Sequence, residues 1–375
     1  MTFLKTLKSH LDSSQCWRKK AWEALEKRGL PTNHWEAFKY VSLTPLWKTS
    51  FPLKVETFPP IETGISLPIE EGRKVYAPLF QKNLDQTVDE EKSPFALLNA
   101  ALSHEGAFIY IPPGKTINWN WETFLTHGFR LPRLEIFVGK GAHVSLIFRS
   151  QGEGDYFYNP YVQLNLEEGA QVDLKIECEH SSEAFAMHTL RAHLKKKAVF
   201  NCFVFSKGAR CERHDLHVSL NGKDSGATLR GLSLTSGADA IHHSVTVAHR
   251  SPHTSSNQHF KAVLSEKAVS SFQGNIFVEK KAQQTNAYQL SRYLLLSDRA
   301  KGMSQPNLEI FADDVKASHG ATLSQLKKEE LFYLQTRGIP LKEAKETLVE
   351  AFCEHWIDRK TIRRFLKPQG VNAIV

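Results

Sequence analysis

The five cysteines include no closely spaced pair. Cys16, Cys178, Cys202, Cys211 and Cys353 are scattered, and no Cys-x-x-Cys occurs. That excludes a zinc knuckle and a self-contained cluster cage of the ferredoxin kind. The odd count predicts reduced, mostly buried thiols rather than disulfides, with Cys353 packed within a helix. Long apolar runs are missing too. Nowhere do about 18 apolar residues follow one another, and Met1 to Trp17 lack the apolar core of a secretory leader. The expectation is a cytoplasmic protein without membrane insertion. Catalytic signatures are equally scarce. Gly114-Lys115-Thr116 has Ile109 where a phosphate loop needs its first glycine, so no ATP site is expected in this chain. There is no Gly-x-Ser-x-Gly elbow, no His-Glu-x-x-His, and no Gly-x-Gly-x-x-Gly entering a helix.

What is present is ordinary in amount and unusual in arrangement. The hydrophobic fraction of 41% and charged fraction of 23% fit a folded globular chain. At 375 residues it calls for two or three modules or one elongated repeat. A net charge of +8 leaves phosphate-rich partners open in principle. The one basic run, Lys195-Lys196-Lys197 beside Arg191 and His193, has no interleaved aromatics on which bases could stack, so it reads as a solvated edge and not as a nucleic-acid site.

Hydrophobic spacing divides the chain in three. Leu4, Leu7, Leu11, Trp17, Ala21, Trp22 and Leu25 recur at helical intervals, with a break near Asp12-Ser13-Ser14 and a stop at Gly29 and Pro31. Pro52, Pro59, Pro60, Gly64 and Pro68 mark Phe51 to Pro68 as an irregular linker. Beyond it the period becomes two: Leu134, Ile136 and Val138, then Val144, Leu146 and Phe148, then Val172, Leu174 and Ile176. Gly141-Ala142-His143-Val144-Ser145-Leu146 matches Gly169-Ala170-Gln171-Val172-Asp173-Leu174 after a shift of 28 residues, and Val138 falls on Leu166. Similar small-residue punctuation follows at Gly208-Ala209, Gly226-Ala227, Gly237-Ala238, Lys267-Ala268 and Lys281-Ala282. Strand, tight corner and strand in repetition suit a solenoid in which each coil stacks on its neighbours. A sandwich or barrel is the rival. From about Leu323 the spacing is helical again. One helix ends at Gly338-Ile339-Pro340 and a second carries Leu341 to Trp356, as an αα-hairpin. The expected domains are 1–68 (helical, with linker), 69–322 (β-solenoid core) and 323–375 (helical).

Two groups of histidines stand out. His242, His243, His249, His253 and His259 lie close in sequence, but carboxylates near them are sparse and no spacing matches a closed zinc site, so they read as a polar ladder on a solenoid face. His319 lies in Ala312-Asp-Asp-Val-Lys-Ala-Ser-His-Gly-Ala-Thr-Leu323, between a strand pattern (Leu308, Ile310, Ala312) and the helical tail. Gly320 is expected to take a positive φ and Ser318 a local turn bond. The ring is then either a hydrogen-bonded turn residue or a metal ligand. Asp313 and Asp314, on opposite strand faces, allow at most one to orient it.

The segment around His319 resembles the Lys-Cys-Ser-His-Gly-Ala-Thr motif of the SufB/SufD family, scaffold proteins of iron–sulfur cluster assembly. Further blocks resemble it in order: Ser271-Phe272-Gln273-Gly274-Asn275-Ile276, Ala282 to Gln289, Leu294-Leu295-Leu296-Ser297, Pro306 to Ile310, and Leu331 to Leu334 followed by Arg337-Gly338-Ile339. Leu30-Pro31 followed by Glu36-Ala37-Phe38-Lys39-Tyr40 is similar to the family's N-terminal element, with Phe38 where Trp is usual. The likeness is dense from about Gly226 to Phe352 and weak from Phe51 to Lys223. It implies a right-handed parallel β-helix between helical terminal domains. It also implies that His319 is a candidate cluster ligand, and so a metal ligand, facing a cysteine of a SufB-like partner. Ala317 stands where the motif has Cys, so sulfur must come from that partner, or through Cys202 or Cys211.

The resemblance therefore implies a SufD-like scaffold subunit, silent as an enzyme on its own. It would hold a transient iron–sulfur cluster with a SufB-like paralogue and dock a SufC-like ATPase through its helical tail. Reduced flavin in the assembled complex is a further implication, and exposed edge strands make a homodimer of the isolated chain plausible. Two other readings stand against it. A β-helical binding or adhesion protein calls for an export signal, and a polysaccharide-acting enzyme for clustered carboxylates; the first is not visible and the acidic residues are dispersed.

Overall fold

The computed structural model describes residues 2–367 apart from 13, 56–57, 59–60, 62–63, 80–87 and 355. Strands alternate along the chain between two sheets. The first holds β1 (Ile65–Pro68), β2 (Gly106–Ile111), β5 (Arg133–Val138), β8 (Tyr161–Leu166), β10 (Phe185–Leu194), β12 (Cys211–Leu220), β14 (Ala240–His249), β16 (Val269–Val278) and β18 (Lys301–Ile310), with β4 (Gly128–Arg130) and β7 (Tyr156–Tyr158) alongside. The second holds β3 (Thr116–Leu125), β6 (His143–Gly152), β9 (Gln171–His180), β11 (Val199–Gly208), β13 (Gly226–Thr235), β15 (Ser255–Leu264), β17 (Thr285–Leu295) and β19 (Val315–Gln325). From β2 onward every named pairing is parallel. The result is a mainly β structure, a β-solenoid of about eight coils over residues 106–325 with helices at both ends.

The repeat seen in the sequence is the coil itself. His143 pairs with Gln171, and Val138 with Leu166. One corner recurs with a left-handed residue in successive coils: Gly114, Gly141, Gly169, Lys197, Asp224, His253 and Gln284 all have φ between 57° and 68°. Each of these donates its backbone N–H to the next coil's corner, as from Gly141 to Glu168 at 3.0 Å and from Gly169 to Lys196 at 2.9 Å. Glycine suits the early corners because it adopts this φ without a Cβ clash. Ala142, Ala170 and Ala198, next along, are fully buried because only a small side chain fits inside so tight a bend. Inward columns then stack in register. Leu146, Leu174, Cys202 and Leu229 form one, each fully burying Leu contributing about 2 kcal/mol.

The helical ends cover different sheets. Helices α1 (Thr2–Lys8), α2 (Cys16–Arg28) and α4 (Pro94–Leu102) share a core with Phe129, Phe157, Phe185 and Met187 on the first sheet. Phe38 lies in that core with Arg213 stacked over its ring at 4.4 Å. Helices α6 (Leu341–Cys353) and α7 (Arg359–Leu366) pack Val349, Cys353, Ile362 and Phe365 on Leu232, Leu234 and Val263 of the second sheet. Cys353 is fully buried at the end of its helix, as its spacing predicts. Helix α5 (Lys328–Thr336) buries no residue.

Two local expectations change, while the solvated reading of the basic run holds. Ile65–Pro68 pairs antiparallel with β2 and so belongs to the sheet, followed by helix α3 (Ile69–Val75); residues 56–57, 59–60 and 62–63 of the expected linker lie outside the described residues. The stretch from Leu323 to Gln325 continues β19, and the tail helix starts at Lys328: Leu323 obeys a helical interval with Leu326 by coincidence, while its backbone is fixed by pairing with Tyr293. The basic run Lys195 to Lys197 turns a corner, with Lys195 on Glu167 at 2.7 Å and Lys196 on Glu168 at 3.4 Å.

Candidate functional site

His319 lies on β19, the last strand of its sheet, opposite Gln289 of β17. On β17 the alternation buries Ala287, Gln289, Ser291 and Tyr293 inward. The register therefore puts His319 in the same inward column, above Gln258 and Gln289 and ultimately Leu229. In any earlier coil such a position is buried. Here it is exposed, because no further coil covers it. The amide of Gln289 donates to Gln258 Oε1 at 3.0 Å, and its own Oε1 is buried without a hydrogen-bond partner. This column thus turns from apolar to polar toward the last coil and ends on an imidazole.

The turn reading of this histidine does not hold. Gly320 is an ordinary strand residue without positive φ, its α-carbon facing Leu290 Cδ1. Among the described residues His319 makes no side-chain hydrogen bond or ion pair. Asp313 and Asp314 are not on a strand. They form the corner before β19, where Asp314 exchanges bonds with Gln283 and the backbone of Gln284. Five residues of strand, roughly 16 Å, separate that corner from the ring. Ala317 and Val315 share the inward column and pack against Ile276, Val278 and Ala287. Around this end stand exposed Tyr288, Phe311 and Leu323, with Phe332 and Tyr333 on α5, 68% and 57% exposed.

The histidines clustered in sequence disperse in space. His242 Nδ1 meets Ser271 Oγ at 2.8 Å, His249 is held by Thr254 and Ser256 at 2.8 and 2.9 Å, and His259 packs edge-on to Trp356. His253 is one of the left-handed corner residues. Burial pushes His249 down to about 4 and His242 to about 3, so both are neutral hydrogen-bonding core groups. Only His243 joins a group of functional donors, stacked at 5.2 Å on His214.

That group lies scattered along the sequence and is brought together by the coils. Cys178 of β9 faces His188 of β10 and Glu212 and His214 of β12 across the interior, and one donor atom from each lies within 4.8 Å of all the others. All four are buried. Cys178 Sγ is 3.7 Å from His188 Nε2, and Glu212 Oε1 is 2.5 Å from His214 Nε2. Ser206 donates to Glu212 Oε1 at 2.6 Å and lies 3.0 Å from His214 Nε2. Burial raises the Cys178 thiol and the Glu212 carboxyl and lowers both imidazoles, His214 to about 3, with the Arg213 charge adding to the last. Glu212 Oε2 and His214 Nδ1 make no hydrogen bond among the described residues. Cys202 and Cys211, by contrast, sit in apolar surroundings that push their thiols up to about 12, which leaves them poor nucleophiles.

Comparison with known proteins adds the following. The family model described as SUF system FeS cluster assembly, SufBD core domain, matches residues 124–352. The match begins well upstream of Gly226, where the dense motif likeness starts. An iron–sulfur cluster assembly SufBD family protein of Synechocystis is 33% identical over 239 residues, which covers 61% of this chain and 52% of the relative. A chloroplastic protein of Arabidopsis thaliana, ABCI7, is 30% identical over 283 residues, 71% of this chain and 59% of the relative. The iron–sulfur cluster assembly protein SufD of Escherichia coli is 29% identical over 224 residues, 59% and 52%. The chain thus spans little more than half the length of these relatives.

Proposed function

The chain belongs to the SufBD family of iron–sulfur cluster assembly proteins, and on that footing we propose that it works as a SufD-like scaffold subunit that completes a cluster site together with a SufB-like paralogue. The observation that carries this reading is the uncovered last coil: β18 and β19 each have a partner on one side only among the described residues, and His319 sits exposed in the inward column of β19. Unpaired strand edges are templates for another chain's strands. A neutral imidazole is a competent iron ligand when thiolates complete the shell. This chain offers alanine at position 317, so the sulfur ligands come from the partner, and the cluster is cargo shared between two chains.

Helix α5, with Phe332 and Tyr333 outward, gives the tail an apolar surface for a SufC-like ATPase. An ATPase that binds two arrangements of the pair unequally shifts the scaffold between them. Reduced flavin belongs, in this reading, to the assembled complex. In isolation the same free edges serve a homodimer. The test is co-production of the tagged chain with untagged SufB-like and SufC-like proteins under reducing conditions, read by mass spectrometry. Both partners are expected to co-purify; recovery of neither contradicts the scaffold reading.

A further inference from the structure

We propose that Cys178, His188, Glu212 and His214 form a second, interior metal site, one that takes a single divalent ion of borderline softness such as Zn2+ or Fe2+ and ties the two sheets together. The inference is independent of His319 and of partner binding. It starts from register. His188 and His214 are paired residues on adjacent strands of the first sheet, Glu212 is two residues from His214 on the same face, and Cys178 projects from the opposite sheet between Ser150 and Ser206. Four donors of three chemical kinds therefore converge from two walls.

Charge fits an ion, and small side-chain shifts bring the donor distances to it. Bonds of about 2.0–2.3 Å in a tetrahedral shell put donors roughly 3.3–3.8 Å apart. The Cys178 to His188 separation of 3.7 Å already meets this, and the Glu212 to His214 contact of 2.5 Å opens by less than a rotamer change. A thiolate and a carboxylate with two neutral imidazoles neutralise a dication, which is what a buried shell requires. Loading releases the Cys178 thiol proton to solvent and leaves no net charge inside. The donor set of one sulfur, two nitrogens and one oxygen selects Zn2+ or Fe2+ over calcium or magnesium, which prefer oxygen.

Independent observations point the same way. Glu212 Oε2, in a fully buried residue of the cluster, makes no hydrogen bond among the described residues and so is available to an ion. The surrounding polar groups are arranged as supports. Ser206 holds Glu212, and Ser150 reaches Cys178 Sγ at 3.5 Å and His180 at 3.4 Å. A cavity of about 30 Å³ lined by Ser150, Tyr158 and His188 leaves room beside the cluster.

Cobalt is the probe. The full-length chain is incubated anaerobically with Co2+ alone, and in parallel refolded from denaturant with Co2+ present, since the interior is closed in the folded state. The expected result is one Co2+ per chain that survives gel filtration, with the visible bands of a tetrahedral centre and a near-ultraviolet thiolate-to-cobalt band, displaced by Zn2+. Cys178→Ser and Cys178→Ala, checked for fold by circular dichroism, lose the thiolate band. Glu212→Gln weakens cobalt binding at least tenfold. No retained cobalt by either route, or a thiolate band that persists without Cys178, overturns the site.

Discussion

His249 faces into the solenoid and His242 lies on the other face of β14, beneath the N-terminal cover with Arg213; both are hydrogen-bonded to serine or threonine hydroxyls, and burial holds both rings neutral. Unfolding returns each to an ordinary histidine value near 6.5. Below that pH the unfolded chain binds protons that the folded chain refuses until about 4 at His249 and about 3 at His242. Stability is therefore full above pH 6.5 and falls as pH drops, by about 1.4 kcal/mol per pH unit for each ring. Asp239 acts in the opposite sense. Its burial raises it to about 6, so between that value and 3.8 it holds a proton in the folded state that the unfolded state lacks, and it offsets one histidine. Urea midpoints between pH 7 and 4.5 are expected to decline, and more shallowly in His249→Gln; a pH-independent midpoint contradicts the assignment. Part of this was legible. The even spacing of His243 and His249 does place both rings inward, but closeness in sequence suggested a group that six residues of strand keep about 20 Å apart. The converse failure concerns Cys178, His188, Glu212 and His214, which meet only because coils of nearly 30 residues stack. The available signal was the spacing of His188 and His214, close to one coil, with Glu212 and His214 on one strand face.

At the scale of elements, the C-terminal helices are fixed to the solenoid by one buried cation. Lys261 on β15 points away from the interior into the cover formed by the tail. There its Nζ lies 2.7 Å from Glu354, 2.7 Å from the Phe352 carbonyl and 4.6 Å from the Trp356 ring centroid. The lysine side chain is fully buried while Glu354 is half exposed. Removing the carboxylate strands the charge: Glu354→Ala is expected to cost about 2 kcal/mol, less than a wholly buried pair because water reaches the site. Lys261→Met in the Glu354→Ala background restores most of that loss, since the methionine fills the same slot without a charge. Denaturant unfolding of Glu354→Ala, Lys261→Met and the double variant measures it, and additive effects contradict the coupling. The helical character of this tail was readable from Leu341, Ala344 and Leu348. Its starting point was not, because Leu323 and Leu326 satisfy a helical interval while strand pairing governs the backbone. The corners were readable where glycine marks them, at Gly141 and Gly169. They were hidden where Lys197, Asp224 and Gln284 take the same left-handed φ, held by the corner-to-corner N–H bonds.

For the whole molecule, the decisive feature is that a stack of coils ends without a cover. The repeat in the sequence announced the stack, and the Ser318-His319-Gly320 motif announced its last strand. Neither revealed that His319 is inward-facing and yet exposed, since that depends on its being in the final coil. The helices at each end pack on opposite sheets and leave that face of β18 and β19 free, with Tyr288, Phe311 and Leu323 around it. No described helix is long and apolar enough to cross a membrane. The partner-completed site rests on His319, and its most direct measurement is the iron and acid-labile sulfide content of the complex reconstituted with SufB-like and SufC-like subunits, comparing the native chain with His319→Ala. The expected result is an intact complex that carries several-fold less cluster in the variant; equal iron and sulfide in the two contradicts the ligand role of His319.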